Sequence, residues 1–327
     1  MKLFDDVEII EATHSGRPVQ LTLLRGGQRI VLLDAGTPTI LQEAVLPALR
    51  ERRLGPGDLD LVLITHADVD HFGGAAALRA GGAKMVACGE ADRPLIEDPD
   101  VMIARRSNRF GEYGVHMSDA AKDRVRGMTG GGVAVDLSLV GGEAIRLAED
   151  WVVHVLATPG HTDGHIGVHD PKHRAFYGAD AIHGAVYLGR DGTAKLPPTY
   201  ERIEAYLGTI DRIASLDLDV YVGCHWPVMR GDQIAAFCAE SRGFVERTER
   251  CVLEAIRKGE ARTLRDLLGL LGPQLGDWPR ERDGALVPAL AGHLDRLTAT
   301  GRLKVESADG VNHYHAALQT GDERDSC

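Results

Sequence analysis

The sequence contains no run approaching the ~20 apolar residues that a bilayer-spanning helix requires. Its cysteines (Cys88, Cys224, Cys238, Cys251 and Cys327) have no short pairwise spacing. The first absence argues against a membrane protein, and the second gives no sign of a disulfide framework or a structural zinc motif. Basic residues are in deficit. Lysine and arginine number 37 against 48 acids, and the resulting formal charge of −11 opposes a long nucleic-acid track, because phosphate contact needs clustered cations. The N-terminal stretch places Asp5 and Asp6 where a signal peptide needs its apolar core, so a cytoplasmic location is expected. No internal repeat is visible. With 44% hydrophobic and 26% charged residues over 327 positions, the chain has the composition of a globular protein, long enough for one large domain and a smaller one.

What is present is concentrated in residues 61–74, Leu-Val-Leu-Ile-Thr-His-Ala-Asp-Val-Asp-His-Phe-Gly-Gly. A short apolar run suits a buried strand, and the paired glycines suit a tight turn into a helix. Between them stand His66, Asp68, Asp70 and His71. Imidazoles and carboxylates at a strand end make a mixed N/O site that fits Zn²⁺ and also Fe or Mn. The alternative is a polar loop whose acids and histidines are solvated. Three later segments repeat the design. Trp151 to Ala157 leads into Thr158-Pro159-Gly160-His161, Phe176-Tyr177-Gly178-Ala179 into Asp180, and Val220-Tyr221-Val222-Gly223 into Cys224-His225. Each apolar run stops near a glycine and then presents a histidine or aspartate, which is how a sheet delivers ligands to one rim. Cys224 is either a further ligand or a small buried residue.

With these residues in place, residues 1–230 resemble the metallo-β-lactamase-fold hydrolases. That family's first motif is His-x-His-x-Asp-His, and His66, Asp70 and His71 stand at matching positions. His161, Asp180 and His225 match the later ligands, and Asp34-Ala35-Gly36 matches an early Asp-x-Gly turn. The resemblance implies an α/β fold, an αββα sandwich, holding two divalent metal ions. One would be held by His66, Asp68 and His161, the other by Asp70, His71 and His225, with Asp180 bridging. Zinc is the default by family frequency. Asp68 departs from the pattern, since the family has a second histidine there. A carboxylate at that point shifts preference toward Fe or Mn, or leaves one metal position weak. A flavo-diiron branch carries Glu at this place, but no flavodoxin domain is visible here.

The resemblance also assigns roles. Asp70 would orient the nucleophile as well as ligate. His183 lies three residues after Asp180, where lactone-opening relatives carry a tyrosine. It would serve as hydrogen-bond donor or proton shuttle, or else orient a ligand. His165 is expected beside the ligands rather than among them. The implied activity is hydrolysis of a small ester, lactone, thioester or amide. The alternatives are a phosphodiesterase or nuclease, and an iron-dependent oxidoreductase of the sulfur dioxygenase kind, suggested by Asp68 alone.

Residues 89–133 are charged and turn-rich, without steady periodicity. In this fold such a segment often lines the substrate, which makes Arg105, Arg106, Tyr113 and His116 candidate contacts for an anionic or polar small molecule. The alternative is a helical insertion whose arginines are solvated or paired with Glu97 and Asp98. The composition changes near residue 232, giving a catalytic domain over 1–231, a smaller domain over 232–318 and a tail over 319–327. Amphipathic spacing predicts helices over 234–258 and 285–300, and Thr263 with Asp266 predicts a capped helix start. Residues 301–315, turning at Asp309-Gly310, read as a hairpin. This order resembles the winged-helix module appended to some members of the family. Acids interleaved among its bases favour packing, dimerisation or closure of the active-site rim over nucleic-acid binding.

Overall fold

The computed structural model describes residues 1–317, so the tail expected over 319–327 lies outside the described residues. Two six-stranded sheets form its centre. The first contains β1 (Val7–His14), β2 (Arg17–Arg25), β3 (Ile30–Leu33), β4 (Leu61–Ile64), β5 (Val86–Gly89) and β6 (Leu137–Leu139), in sequence order. Pairing is antiparallel from β1 to β3 and parallel from β3 to β6. The second sheet is built from β7 (Ala144–Ala148), β8 (Trp151–Ala157), β9 (Ile166–Asp170) and β10 (Ala175–Ala179). After the short pair β11 (Tyr187–Leu188) and β12 (Ala194–Leu196), it is completed by β13 (Val220–Gly223) and β14 (Met229–Arg230), in the order β14-β13-β10-β9-β8-β7.

The apolar pattern of β4 shows why the layers stack. All four of its residues are buried, as a parallel strand covered on both faces requires. Side chains alternate across a strand. Val62 and Ile64 therefore join Leu41, Val45 and Leu78 beneath the outer helices. Leu61 and Leu63 join Val155, Val168 and Val222 between the sheets. The expected αββα sandwich is the result.

Residues 89–133 form several short helical turns and one ten-residue helix, Asp119–Met128. Beyond β14 come the helices Asp232–Arg257, Leu264–Leu275 and Val287–Ala299, then the hairpin β15 (Leu303–Ala308) and β16 (Val311–Ala316). Thr263 caps the middle helix: its hydroxyl accepts from Asp266 N at 3.2 Å, and the Asp266 carboxylate accepts from Thr263 N at 2.9 Å. Asp309 and Gly310 both have positive φ (52° and 77°), the turn geometry that a two-residue hairpin loop requires. These elements share one core with the sandwich. Ile203, Tyr206 and Tyr221 of the sandwich cluster with Phe244, Leu264, Leu290, Leu294 and Tyr314.

The topology also collects strand ends. β3 and β4 are parallel neighbours, as are β10 and β13, and β8 runs with β10 because each is antiparallel to β9. The residues after these strands are Asp34, His66 to His71, His161, Asp180 and His225, and they meet at one rim.

Candidate metal centre

Each inward histidine is fixed from behind. Carbonyl oxygens only accept, so His161 donates from Nδ1 to Thr199 O (3.1 Å) and His225 donates from Nδ1 to Pro18 O (2.7 Å). His71 Nδ1 lies 2.8 Å from Asp34 Oδ2, and the Thr65 hydroxyl lies 3.0 Å from His66 Nδ1. Such partners at Nδ1 leave Nε2 as the site-facing lone pair in the neutral rings. Asp34 is itself held by the backbone N–H and hydroxyl of Thr65, at a strained φ of 65°.

The inward atoms form two main groups, and a third joins His161 and Asp180 to His183. His66, Asp68 and His161 offer ligand atoms within 4.8 Å of one another, as do His71, Asp180, Cys224 and His225. His225 Nε2 stands 3.5 Å from Asp70 Oδ2 and 3.4 Å from Asp180 Oδ2, while His66 Nε2 stands 3.6 Å from Asp68 Oδ2. Ligands about 2.0–2.1 Å from a tetrahedral cation are roughly 3.4 Å apart, so these three separations fit a shared ion better than direct hydrogen bonds, while His161 Nε2 lies within hydrogen-bond distance of Asp68 Oδ2 at 2.8 Å. His66 Nε2, His71 Nε2, Asp70 Oδ2 and Asp180 Oδ1 are buried with no hydrogen-bond partner among the described residues. Each orphan would cost about 1–3 kcal/mol if left unsatisfied. A divalent cation is the group that satisfies imidazole nitrogens and carboxylate oxygens together.

Electrostatics keep the carboxylates and His66 in ligating form. Burial opposes ionisation of Asp68 and Asp180, yet Arg106 and His161 hold Asp68 well below the usual carboxylate range, and His225 and His71 do the same for Asp180. Burial, reinforced by neighbouring imidazoles, keeps His66, His165 and His183 neutral by pushing them well below the ordinary histidine range. His225 moves the other way. Although burial opposes it, Asp180 and Cys224 lift it to about 10.

A sequence profile described as the metallo-β-lactamase superfamily matches residues 14–225. The chain belongs to the metallo-β-lactamase superfamily. Among solved structures it is similar to a metallo-β-lactamase family protein of Thermus thermophilus, with 21% identity and a TM-score of 0.76, covering 96% of this chain and all of that one. A β-lactamase domain protein of Burkholderia ambifaria is similar at 18% identity and a TM-score of 0.72, covering 97% and 93%. These likenesses extend the shared fold through the C-terminal elements. Among curated proteins, the human acyl-coenzyme A thioesterase MBLAC2 is 26% identical over 216 residues, 62% of this chain and 70% of that protein. As a superfamily member, this protein is a hydrolase.

Beside the two groups opens a cavity of about 440 Å³. Asp68, Asp70, His161, Asp180 and His225 form its polar floor. Phe110, Val115, Met117, Leu196, Val287 and Pro288 form an apolar wall, part of it supplied by the C-terminal elements. No helix among the described residues is long and apolar enough to cross a membrane.

The four expected substrate contacts fall in different places. Arg106 reaches the floor, where its guanidinium pairs with Asp68 through both nitrogens (Nε–Oδ1 2.9 Å, Nη2–Oδ2 3.1 Å) and donates to His161 O at 2.9 Å. Arg105 is exposed and lines a neighbouring groove with Arg109, Asp163 and Arg202. The Tyr113 hydroxyl bonds Asp295 on the Val287–Ala299 helix, and His116 packs near Gly111, outside the cavity lining. His183 is fully buried, stacked on Tyr206 and Trp226, with a ring nitrogen grouped with His161 and Asp180.

Among the cavity residues that escaped the sequence reading are Arg17 and Tyr187. Arg17, the first residue of β2, lies 3.5 Å from Asp70 and over the Tyr187 ring. Tyr187 donates toward Asp180 Oδ2 at 3.3 Å and shares a 2.9 Å hydrogen bond with Thr199. Neither sits in a motif; Tyr187 only follows Asp180 by seven residues.

Replacing Asp34 by alanine should weaken metal binding about 10- to 100-fold, because His71 loses the carboxylate that orients it. Competition against a chelator of known affinity measures the change, and an unchanged affinity would refute the role.

Proposed function

We propose that this hydrolase cleaves acyl thioesters with the help of two divalent cations: His66, Asp68 and His161 would hold one, Asp70, His71 and His225 the other, and Asp180 would serve both. Zinc is the cation we favour. Asp68 replaces a neutral imidazole, but its bidentate pairing with Arg106 cancels the added charge, leaving the floor no more anionic than a histidine would. When bound, such cations lower the pKa of water toward about 7 and polarise a carbonyl oxygen.

The chain's own residues supply position and exclusion. Asp70, kept ionised against burial by His71 and His225, presents an oxygen that accepts a proton from the attacking water. Arg17 stands above it as a cationic donor for the developing oxyanion. Tyr187 and Thr199 fix Asp180 and keep the floor rigid. The wall of Phe110, Val115, Met117, Leu196, Val287 and Pro288 takes the acyl chain and keeps water from it. We read His183 as backing the ligands from below. The observation that carries this reading is the juxtaposition of a ligand-lined floor with an apolar wall in one cavity. The similarity to the human thioesterase supports the choice of bond.

The test is release of free thiol from acyl thioesters of graded chain length, with esters and lactones as comparators. Metal-dependent thiol release that varies with chain length is expected. No release from metal-loaded protein, or faster turnover of lactones, would overturn the thioester reading. Metal analysis of protein purified without added ions should find zinc, and stoichiometric iron or manganese would overturn that choice.

Metal uptake should also carry a pH signature. In the metal-free protein His225 keeps its proton up to about pH 10, and a cation needs the neutral ring. Binding near pH 7 must therefore expel that proton, so apparent affinity should rise about tenfold per pH unit for each proton displaced. Calorimetry in buffers of different ionisation enthalpy counts those protons, and a count of zero would contradict the expectation.

A further inference from the structure

The second ligand group contains a residue to which the proposed reaction gives no task. Cys224 follows the last residue of β13, directly before His225, and is 1% exposed. Its sulfur lies within 4.8 Å of ligand atoms of His71, Asp180 and His225, each of those atoms likewise near the others. It is not a lone thiol in an apolar core. Two of its neighbours, His71 Nε2 and Asp180 Oδ1, are fully buried without hydrogen-bond partners, so they need a cation at this spot. Cys88 and Cys238 are also buried and free, yet neither belongs to any group of potential ligands among the described residues.

The backbone explains how the sulfur gets there. Cys224 N donates to Ala179 O at 3.0 Å, and Cys224 O accepts from Gln20 N at 3.0 Å. These bonds tie the residue to the β10 end, which carries Asp180, and to β2. Ala179 has a positive φ of 44°, a strained turn that sets Asp180 beside the thiol.

We infer that Cys224 is a ligand of the second cation, binding as a thiolate alongside His71, His225 and a carboxylate. On binding, the S–H proton leaves to solvent and the sulfur lone pair forms the bond to the metal. Sulfur is a soft donor, so this site selects Zn²⁺ or Co²⁺ over Mn²⁺ or Mg²⁺, whereas the His66, Asp68 and His161 group has only nitrogen and oxygen. The two positions are then chemically unlike. The inference rests on the reading that His71 and His225 hold a cation, and the experiment separates the two.

Metal-free full-length protein is titrated with Co²⁺ and followed by absorbance. A thiolate ligand gives a near-ultraviolet sulfur-to-cobalt charge-transfer band, whereas any bound cobalt in a tetrahedral site gives visible d–d bands. Wild-type protein should show both. Cys224→Ser should lose the near-ultraviolet band, keep the visible bands and bind the second-site cobalt at least ~10-fold more weakly. Cys238→Ser should keep both. Visible bands without the near-ultraviolet band in wild-type protein would overturn the thiolate ligand alone. Survival of that band in Cys224→Ser would do the same. Failure of wild-type protein to bind cobalt at all would overturn the cation reading with it. If Cys224→Ser fails to fold, absence of the near-ultraviolet band from the wild-type spectrum still overturns the inference.

Discussion

Asp70→Asn is expected to lower kcat/KM for thioester hydrolysis by about 100-fold or more. Residues that merely orient a ligand cost about 10- to 100-fold when changed, so a residue that the proposed centre sets against the cation itself should lie at or beyond the top of that range. Asparagine keeps the shape of the side chain and removes only its charge. That charge matters twice. Asp70 faces His225 Nε2 and Arg17 Nη2, each at 3.5 Å, and its buried Oδ2 has no hydrogen-bond partner. On the proposed mechanism, the neutral amide would lose a metal-binding oxygen and the proton acceptor for water in one step. Rates measured at saturating zinc, with bound metal counted in the same samples, separate these losses. A full metal complement with depressed kcat indicates the lost acceptor, and activity within a few-fold of wild type would refute both roles.

The second large effect concerns stability. Gly292→Ala should destabilise the protein by about 1–3 kcal/mol or more, as overpacking of a tight interior does. Gly292 lies buried in the Val287–Ala299 helix, and a Cβ there would meet the Glu201 carbonyl oxygen at 1.9 Å. That atom is backbone, so no side-chain rotation relieves the clash. Glu201 N and Arg202 N both donate to Gly160 O, and two residues earlier Thr199 O receives His161 Nδ1. A helix pushed outward would therefore disturb His161 as well as the C-terminal packing, and activity should fall with stability. Gly243→Ala provides the opposite sign. It lies within the Asp232–Arg257 helix with nothing near its missing Cβ, and alanine should stabilise by up to about 1 kcal/mol. Urea unfolding of both variants gives the comparison, and two changes of the same sign would contradict it.

The candidate ligands were legible in the sequence because each lies close after a strand. His66 to His71, His161, Asp180 and His225 sit shortly past the ends of β4, β8, β10 and β13, so an apolar run marks each of them. The C-terminal helices and hairpin were legible for a similar reason, since caps, stripes and turn residues are local signals. The roles of the arginines were not. Arg106 read as one cation in a charged, aperiodic segment, and nothing nearby in the chain sets it against Asp68, 38 residues earlier. Arg17 belongs to no motif, and nothing nearby in the chain sets it beside Asp70.

The sequence by itself determined the superfamily, the two-sheet sandwich and the order of candidate ligands, because hydrophobic periodicity and strand-end motifs act over a few residues. Only the tertiary structure decided that Arg106 neutralises Asp68, that Arg17 and Tyr187 face the floor, that Cys224 joins His71 and Asp180, and that Val287 and Pro288 help wall the cavity. Those contacts join segments far apart along the chain. They depend on how buried faces pack against one another, and packing of that kind leaves no periodic trace in the sequence.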